Sequence, residues 1–154
     1  MTPPATYLCL RIGGQEFLLP SADVRAVIST YDVSPSAHRL PCVVGSVCVG
    51  GWSLPVVDLR EKLGAQAGAR GRSPVIVVTQ LHREEGPRWL GILAAHVGNV
   101  LTLRPAEFRN GAARISGRMK RLLDPDQLFS AEELRALMLG SEGAKGRPQE
   151  LPAN

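Results

Sequence analysis

The sequence predicts a mainly β fold built as small barrels, and two observations carry that expectation. Two glycine pairs, Gly13-Gly14 and Gly50-Gly51, each separate short runs rich in alternating apolar residues. That is the signal of a two-residue hairpin turn, whose positive φ angles glycine adopts without a Cβ clash. Further short β-rich runs recur at turn-signal spacing, among them Val75-Ile76-Val77-Val78, and such series suggest barrels.

Taken in order, Met1–Thr6 is expected to be a flexible leader. Tyr7–Ile12 alternates, with Leu8, Leu10 and Ile12 on one face, and turns at Gly13-Gly14 into Glu16–Leu19. Ser21 has the character of an N-cap and Asp23 of a first-turn anion. Val24, Val27 and Ile28 follow at helical spacing, so a helix is expected over Ala22–Ile28. Ser29–Val33 reads as a short strand and Ser34–Pro41 as a proline-bounded loop.

Gly45–Arg60 holds the central hairpin, Ser46–Val49 and Trp52–Val57 joined by Gly50-Gly51. Pro55 cannot donate to a ladder, which predicts an edge or a bulge there. Asp58 opens a helical turn, Leu59–Leu63, ended by Gly64, where a carboxylate can cap free N–H groups. Gln66–Ser73 is a Gly/Arg-rich loop. Pro74–Gln80 is a strand with four successive apolar residues, covered on both faces. His82–Arg88 is a charged turn and Trp89–Ala94 the partner strand. Val97, Val100, Leu101 and Leu103 continue the β pattern, Pro105–Gly117 is polar and irregular, and Arg118–Leu123 is the last strand. The closing helix carries an S-x-x-E capping box, Ser130 and Glu133, with Phe129 and Leu134 at the staple positions. Leu134, Leu137 and Met138 face inward and Gly140 ends the helix. Residues 140–154 form a disordered tail.

Length and composition suit one domain over 7–139. The chain has 154 residues, 44% hydrophobic and 21% charged, with a net charge of +4. At this size roughly 68–70% of the unfolded surface can be buried. The three cysteines, Cys9, Cys42 and Cys48, form no CxxC pair, which is the pattern of reduced thiols in a cytoplasmic protein. No secretory signal is seen, and no apolar run approaches the ~18 residues that would insert in a membrane.

Reaction chemistry is hard to find. His38, His82 and His96 are scattered, and no metal-ligand spacing or phosphate-cradling loop occurs. Cofactors and catalytic residues are therefore expected to be none. Asp58 and Asp124 could form an acid pair in a small hydrolase, but each follows a strand and precedes a helical turn, which capping explains. The rival signal is basic: Arg104, Arg109, Arg114, Arg118, Lys120 and Arg121 stand against Glu107 alone. This permits an alternative, a nucleic-acid-binding β-barrel. Phe108 is the only aromatic ring in the segment, whereas single-strand binders stack bases on several, so no nucleic acid is expected as a partner.

The run Gly-x-Val-x-Val-x-Gly-x-x-x-Pro-Val-Val-Asp-Leu-Arg, Gly45 to Arg60, resembles the signature of the CheW-like domain family. Gly45, Gly51, Pro55, Asp58 and Arg60 carry that motif. The likeness extends from Tyr7 to Leu139: the opening glycine hairpin, Tyr31-Asp32, the Val75–Val78 strand, Gly91–Leu101, and Gly117-Arg118-Met119 through Leu128. It implies two small five-stranded barrels sharing a core, with a short first helix and a C-terminal helix. It also implies a non-catalytic adaptor of chemotaxis-like, two-component signal transduction. Its partners would be the regulatory domain of a CheA-type histidine kinase and the cytoplasmic tip of a chemoreceptor-type sensor.

Three positions depart from the family pattern. Gly50 stands where an Arg is usual, Ala26 where a Glu is usual, and Ala95 where an Asp is usual. The Arg and the Glu are associated with receptor docking. The candidate partner-binding residues are therefore Val49, Gly50 and Trp52 on the hairpin, and Val24, Ala26, Val27 and Ile28 on the first helix and its exit. The sequence leaves open whether Val47, Val49, Trp52 and Leu54 belong to core or surface. Without those charges, docking would rest on shape and apolar area.

Overall fold

Alternation along each strand divides the apolar residues of this chain among three cores. In the computed structural model, which describes residues 3–30, 33–35, 40–65, 74–84 and 86–140, eleven strands form two sheets. The first six strands are β1 (Ala5–Ile12), β2 (Gln15–Pro20), β3 (Val24–Ser29), β4 (Val43–Val49), β5 (Trp52–Val57) and β6 (Val75–Arg83). The others are β7 (Gly86–Ala94), β8 (His96–Leu103), β9 (Phe108–Arg109), β10 (Ala112–Ile115) and β11 (Arg118–Leu122). Two helices follow the last strand, α1 (Pro125–Leu128) and α2 (Ala131–Gly140). One sheet has the order β8-β1-β2-β11-β10-β9 and the other β3-β6-β7-β5-β4. The second sheet is thus a continuous insertion between β2 and β8 of the first.

Leu8, Leu10, Ile12, Phe17 and Leu19 point from the first sheet into a shared core, and Val43, Val57, Val77, Leu90 and Ile92 meet them from the second. The intervening residues face the other way. Cys9, Leu18, Leu103 and Ala113 fill the first curled sheet. Val47, Leu54, Val56, Ile76, Val78, Trp89 and Leu93 fill the second. Period-2 alternation with both faces apolar is what two small barrels packed on one another require. Phe129, Leu134 and Leu137 seal the shared core.

Much of the expected local structure is present. Gly13 and Gly14 adopt φ +58° and +85°, and Gly50 and Gly51 repeat those values. Ser130 and Glu133 make the reciprocal capping box: the Glu133 N–H donates to Ser130 Oγ at 3.1 Å, and the Ser130 N–H donates to Glu133 Oε1 at 2.9 Å. The Arg60 N–H donates to Asp58 Oδ1 at 3.1 Å, and the turn that follows closes with Leu63 N–H to the Leu59 carbonyl at 2.9 Å.

Other elements differ. The helix expected over Ala22–Ile28 is a 3-10 turn at Ser21–Asp23 followed by strand β3. Val24, Ala26 and Ile28 alternate with Arg25, Val27 and Ser29, so Val27 points outward and is 46% exposed. Three β-branched side chains in a six-residue run, paired with the apolar strand β6, outweigh the helical spacing. Ser21 is no N-cap; its hydroxyl bonds to Thr6 instead. Of the strand expected over Ser29–Val33, Ser29 is the end of β3, and the next pairing among the described residues is a single bridge, Ser34 to Ser46, beyond positions 31–32. Pro55 is internal, since β5 lies between β4 and β7. The parallel β5–β7 ladder comprises only Val56 and Val57, and the register shift sits across from it in β4, between Val43 and Gly45.

The charged turn expected over His82–Arg88 is mostly strand, because β6 runs to Arg83 and β7 starts at Gly86. Pro105–Gly117 contains β9 and β10. Strand β1 starts at Ala5, inside the expected leader. Tyr31-Asp32, the 66–73 loop, the side chain of Met138 and the 141–154 tail lie outside the described residues.

Candidate partner-binding surface

The two segments singled out in the sequence both pack on one core cluster of the second barrel, as part of its half-buried rim. Ala26 and Ile28 from β3, and Val49 and Trp52 from the two sides of the central hairpin, are half-buried and pack on the same core cluster. Val33 and Val44 join them there; neither stands out in the sequence as a candidate, because nothing in it shows β3 and β4 as the two edges of one sheet. Val49 pairs with Trp52 at the last rung before the turn, and Gly50 stands exposed beyond it. Val47 and Leu54, left undecided by the sequence, are core. Val24 is also removed from the rim, because it packs on the shared core. Val27 lies on the outer face of β3. Beside it in sequence, the Arg25 guanidinium stacks 5.1 Å from the centre of the Trp89 ring.

The motif residues hold this rim in place. The segment that follows β3 reaches edge strand β4 where Ser34 and Ser46 exchange backbone hydrogen bonds at 2.8 and 2.9 Å. Gly45 lies beneath that crossing: a Cβ there would stand 2.5 Å from the Ser34 carbonyl oxygen and 2.8 Å from Val33 Cγ1. The Asp58 N–H donates to the Cys42 carbonyl at 2.8 Å, fixing the base of the hairpin. Asp58 and Arg60 form a charge-assisted fork, with Arg60 Nη2 2.9 Å from Asp58 Oδ2 and Nε 3.1 Å from Oδ1. The bond from Asp58 holds the Arg60 guanidinium even higher than its ordinary range. Ala95, where the resemblance places an acid, lines a small gap with Gly13, Asp58 and Arg60.

The remaining titratable groups are tied to local structure. Asp58 and Asp124 do not form a pair: each caps its own turn, with the Asp126 N–H donating to Asp124 Oδ1 at 3.1 Å. His82 Nε2 lies 2.8 Å from Asp23 Oδ1, and the His82 N–H donates to Asp126 Oδ1 at 2.9 Å, tying α1 to β6. Burial pushes the Cys42 thiol up, away from thiolate reactivity. Among the described residues no three His, Cys, Asp or Glu side chains gather as metal ligands, and no helix is long and apolar enough to cross a membrane.

The basic segment is largely engaged within the molecule. Lys120 is buried and lies 2.6 Å from Glu16, which Arg118 also reaches at 3.2 Å. Arg121 donates to Gln15 and to the Leu63 carbonyl and stacks 5.3 Å from the Phe17 ring. Arg114 reaches the Gly117 carbonyl.

Fold and surface together define a double-barrel β domain with half-buried apolar residues around the core of the second barrel. The family model of the CheW-like domain matches residues 6–133, and the chain belongs to that family. It is 29% identical over 143 residues to the chemotaxis protein CheW of Rhizobium meliloti, covering 84% of this chain and 90% of that one. The corresponding protein of Klebsiella aerogenes is 26% identical over 142 residues, with 83% of each chain covered. The crystal structure of the scaffolding protein TtCheW from Thermoanaerobacter tengcongensis superposes with a TM-score of 0.72 at 15% identity, over 86% of this chain and 92% of that one. That likeness is one of fold.

Proposed function

We propose that this protein is a non-catalytic cytoplasmic adaptor that couples a chemoreceptor-type sensor to a CheA-type histidine kinase. The observation that carries this reading is the family match along residues 6–133. The apolar rim of Ala26, Ile28, Val49 and Trp52 supports it, because half-buried apolar and aromatic side chains are the anchors around which protein interfaces gain their energy. The rim is the receptor-docking surface, and kinase binding uses a barrel face elsewhere. The carboxylates serve as caps and ion-pair partners, so the reading asks for no metal, cofactor or reaction.

The experiment is a paired pull-down against a kinase regulatory domain and a receptor cytoplasmic tip. Ala26→Arg and Gly50→Asp place charge on and beside the rim; aspartate tolerates the positive φ at position 50 better than most side chains. Receptor capture is expected to fall about tenfold, the equivalent of ~1.4 kcal/mol, while kinase capture persists. Capture by the unaltered protein should vary little between low and physiological salt, since the rim lacks charge. Undiminished receptor capture by both folded variants would remove the rim as the docking site. Failure to bind either partner would remove the adaptor reading.

A further inference from the structure

The concave side of the first barrel holds a feature that the adaptor reading does not use. A cleft of about 410 Å³ opens between β1, β8 and the β10–β11 turn, within the ~300–1,000 Å³ typical of small-molecule sites. At its inner end lies Lys120, 9% exposed, with Nζ 2.6 Å from Glu16 Oε2 and 3.3 Å from Cys9 Sγ. An ammonium carries three protons. Two are met by those partners, and the third has no further acceptor among the described residues. Arg11 and Arg118 stand at the mouth. Arg118 shares Glu16 with Lys120, whereas the Arg11 side chain has no hydrogen bond or ion pair among the described residues. Three permanent cations against one carboxylate leave the cleft positive, and Asn99 and Ser116 add neutral hydrogen-bonding groups. Leu101 and Ile115 supply an apolar wall.

We propose that this cleft binds a small organic anion, a molecule that carries a carboxylate or phosphate beside a short apolar portion. The anionic group lies between Arg11, Arg118 and the Lys120 ammonium, and the apolar portion lies on Leu101 and Ile115. Low exposure around Lys120 makes such a pairing stronger than at an open surface, and an occupant that completes the third ammonium bond fits better than water alone. The site is on the opposite barrel from the rim, so binding here and receptor capture are separable.

The test is an amide chemical-shift titration of the full chain with butyl phosphate, butyrate, inorganic phosphate and neutral butanol. Saturable shifts are expected at Gly98, Asn99 and Ser116 with butyl phosphate or butyrate, and none with butanol. Inorganic phosphate should bind several-fold more weakly than butyl phosphate. Arg11→Gln, at an exposed position that leaves the Lys120–Glu16 pair intact, should weaken binding about five- to tenfold. If Arg11→Gln binds as tightly as the parent, or if shifts grow without saturation and centre on Arg104 and Arg109, the cleft is not an anion site. Equal affinity for inorganic and butyl phosphate would remove the organic portion of the proposal. Because the readout involves neither kinase nor receptor, it stands or falls apart from the adaptor function.

Discussion

Gly45 and Gly51 belong to one hairpin and need glycine for opposite reasons. Gly51 has φ +85°, and nothing lies within 4 Å of where a Cβ would stand, so its constraint is conformational. Gly45 has ordinary φ, and its constraint is space, because Ser34 crosses above it. Gly51→Asn should therefore cost well under 1 kcal/mol, since asparagine visits the left-handed region, whereas Gly51→Val should cost ~1–3 kcal/mol. At position 45 valine and alanine both collide with backbone, and overpacking of this kind costs ~1–3 kcal/mol. Urea unfolding of the four variants checks this; a Gly45→Ala protein as stable as the parent would mean that Ser34 does not cross there. Two carboxyls make a second residue-level prediction. The Lys120 ammonium bonded to Glu16, and the Lys62 ammonium bonded to Glu133, hold these carboxyls below their ordinary value of 4.5 in the folded chain. Their contribution to stability is therefore complete above that value and is lost as pH falls through the depressed folded values. The urea midpoint should decline below pH 4.5, and Glu16→Gln with Glu133→Gln should flatten the decline.

At the scale of elements, α2 has its start written in its own residues. Ser130 and Glu133 satisfy each other's backbone groups, and Glu133 additionally holds Lys62 at 2.8 Å. Ser130→Ala should cost ~1 kcal/mol, read as a lower thermal midpoint. Glu133→Gln should cost less, because an amide oxygen can still accept the Ser130 N–H while the exposed part of the Lys62 pair contributes little. β3 shows the contrary case. Its Val24, Val27 and Ile28 fit a helical stripe, yet the segment is a strand because β6 offers a ladder from Val75 to Thr79. The short β9 and β10 likewise gain their form from neighbours, since β11 is paired both with β10 and, in parallel, with β2.

For the whole molecule, the decisive fact is that both sheets turn one face to the same core. The first barrel is assembled from the two ends of the chain around an inserted second barrel. Neither sheet can separate without exposing Phe17, Val77, Leu90 and Ile92, all fully buried. The chain should unfold in one cooperative transition, with calorimetric and van't Hoff enthalpies equal; two resolved transitions would show independent barrels. Leu90→Ala, in the shared core, should lower stability by ~2–5 kcal/mol without splitting that transition. Charge acts at this scale as well. Lys120, Arg118 and Arg121 are engaged by Glu16, Gln15 and Leu63. Oligonucleotides should accordingly bind only weakly and non-specifically at physiological salt. Sub-micromolar binding abolished by joint Arg114→Ala, Arg118→Ala and Arg121→Ala substitution would favour the nucleic-acid alternative over the adaptor.

What the sequence by itself determined rests on short-range chemistry. Both glycine turns, the alternation of β1, the Asp58 and Asp124 caps and the capping box of α2 involve partners within a few residues, so their patterns survive in one dimension. The motif from Gly45 to Arg60 likewise carried the family, because its residues form one contiguous run. The tertiary structure alone decided which face of each strand met which core. It made β3 a strand, placed Pro55 inside a sheet, and explained Gly45 through Ser34. It also collected Ala26, Ile28, Val49 and Trp52 into one rim and Arg11, Arg118 and Lys120 into one cleft. Those assemblies join residues distant along the chain, and the strand pairings that create them depend on long-range burial, which no local pattern encodes.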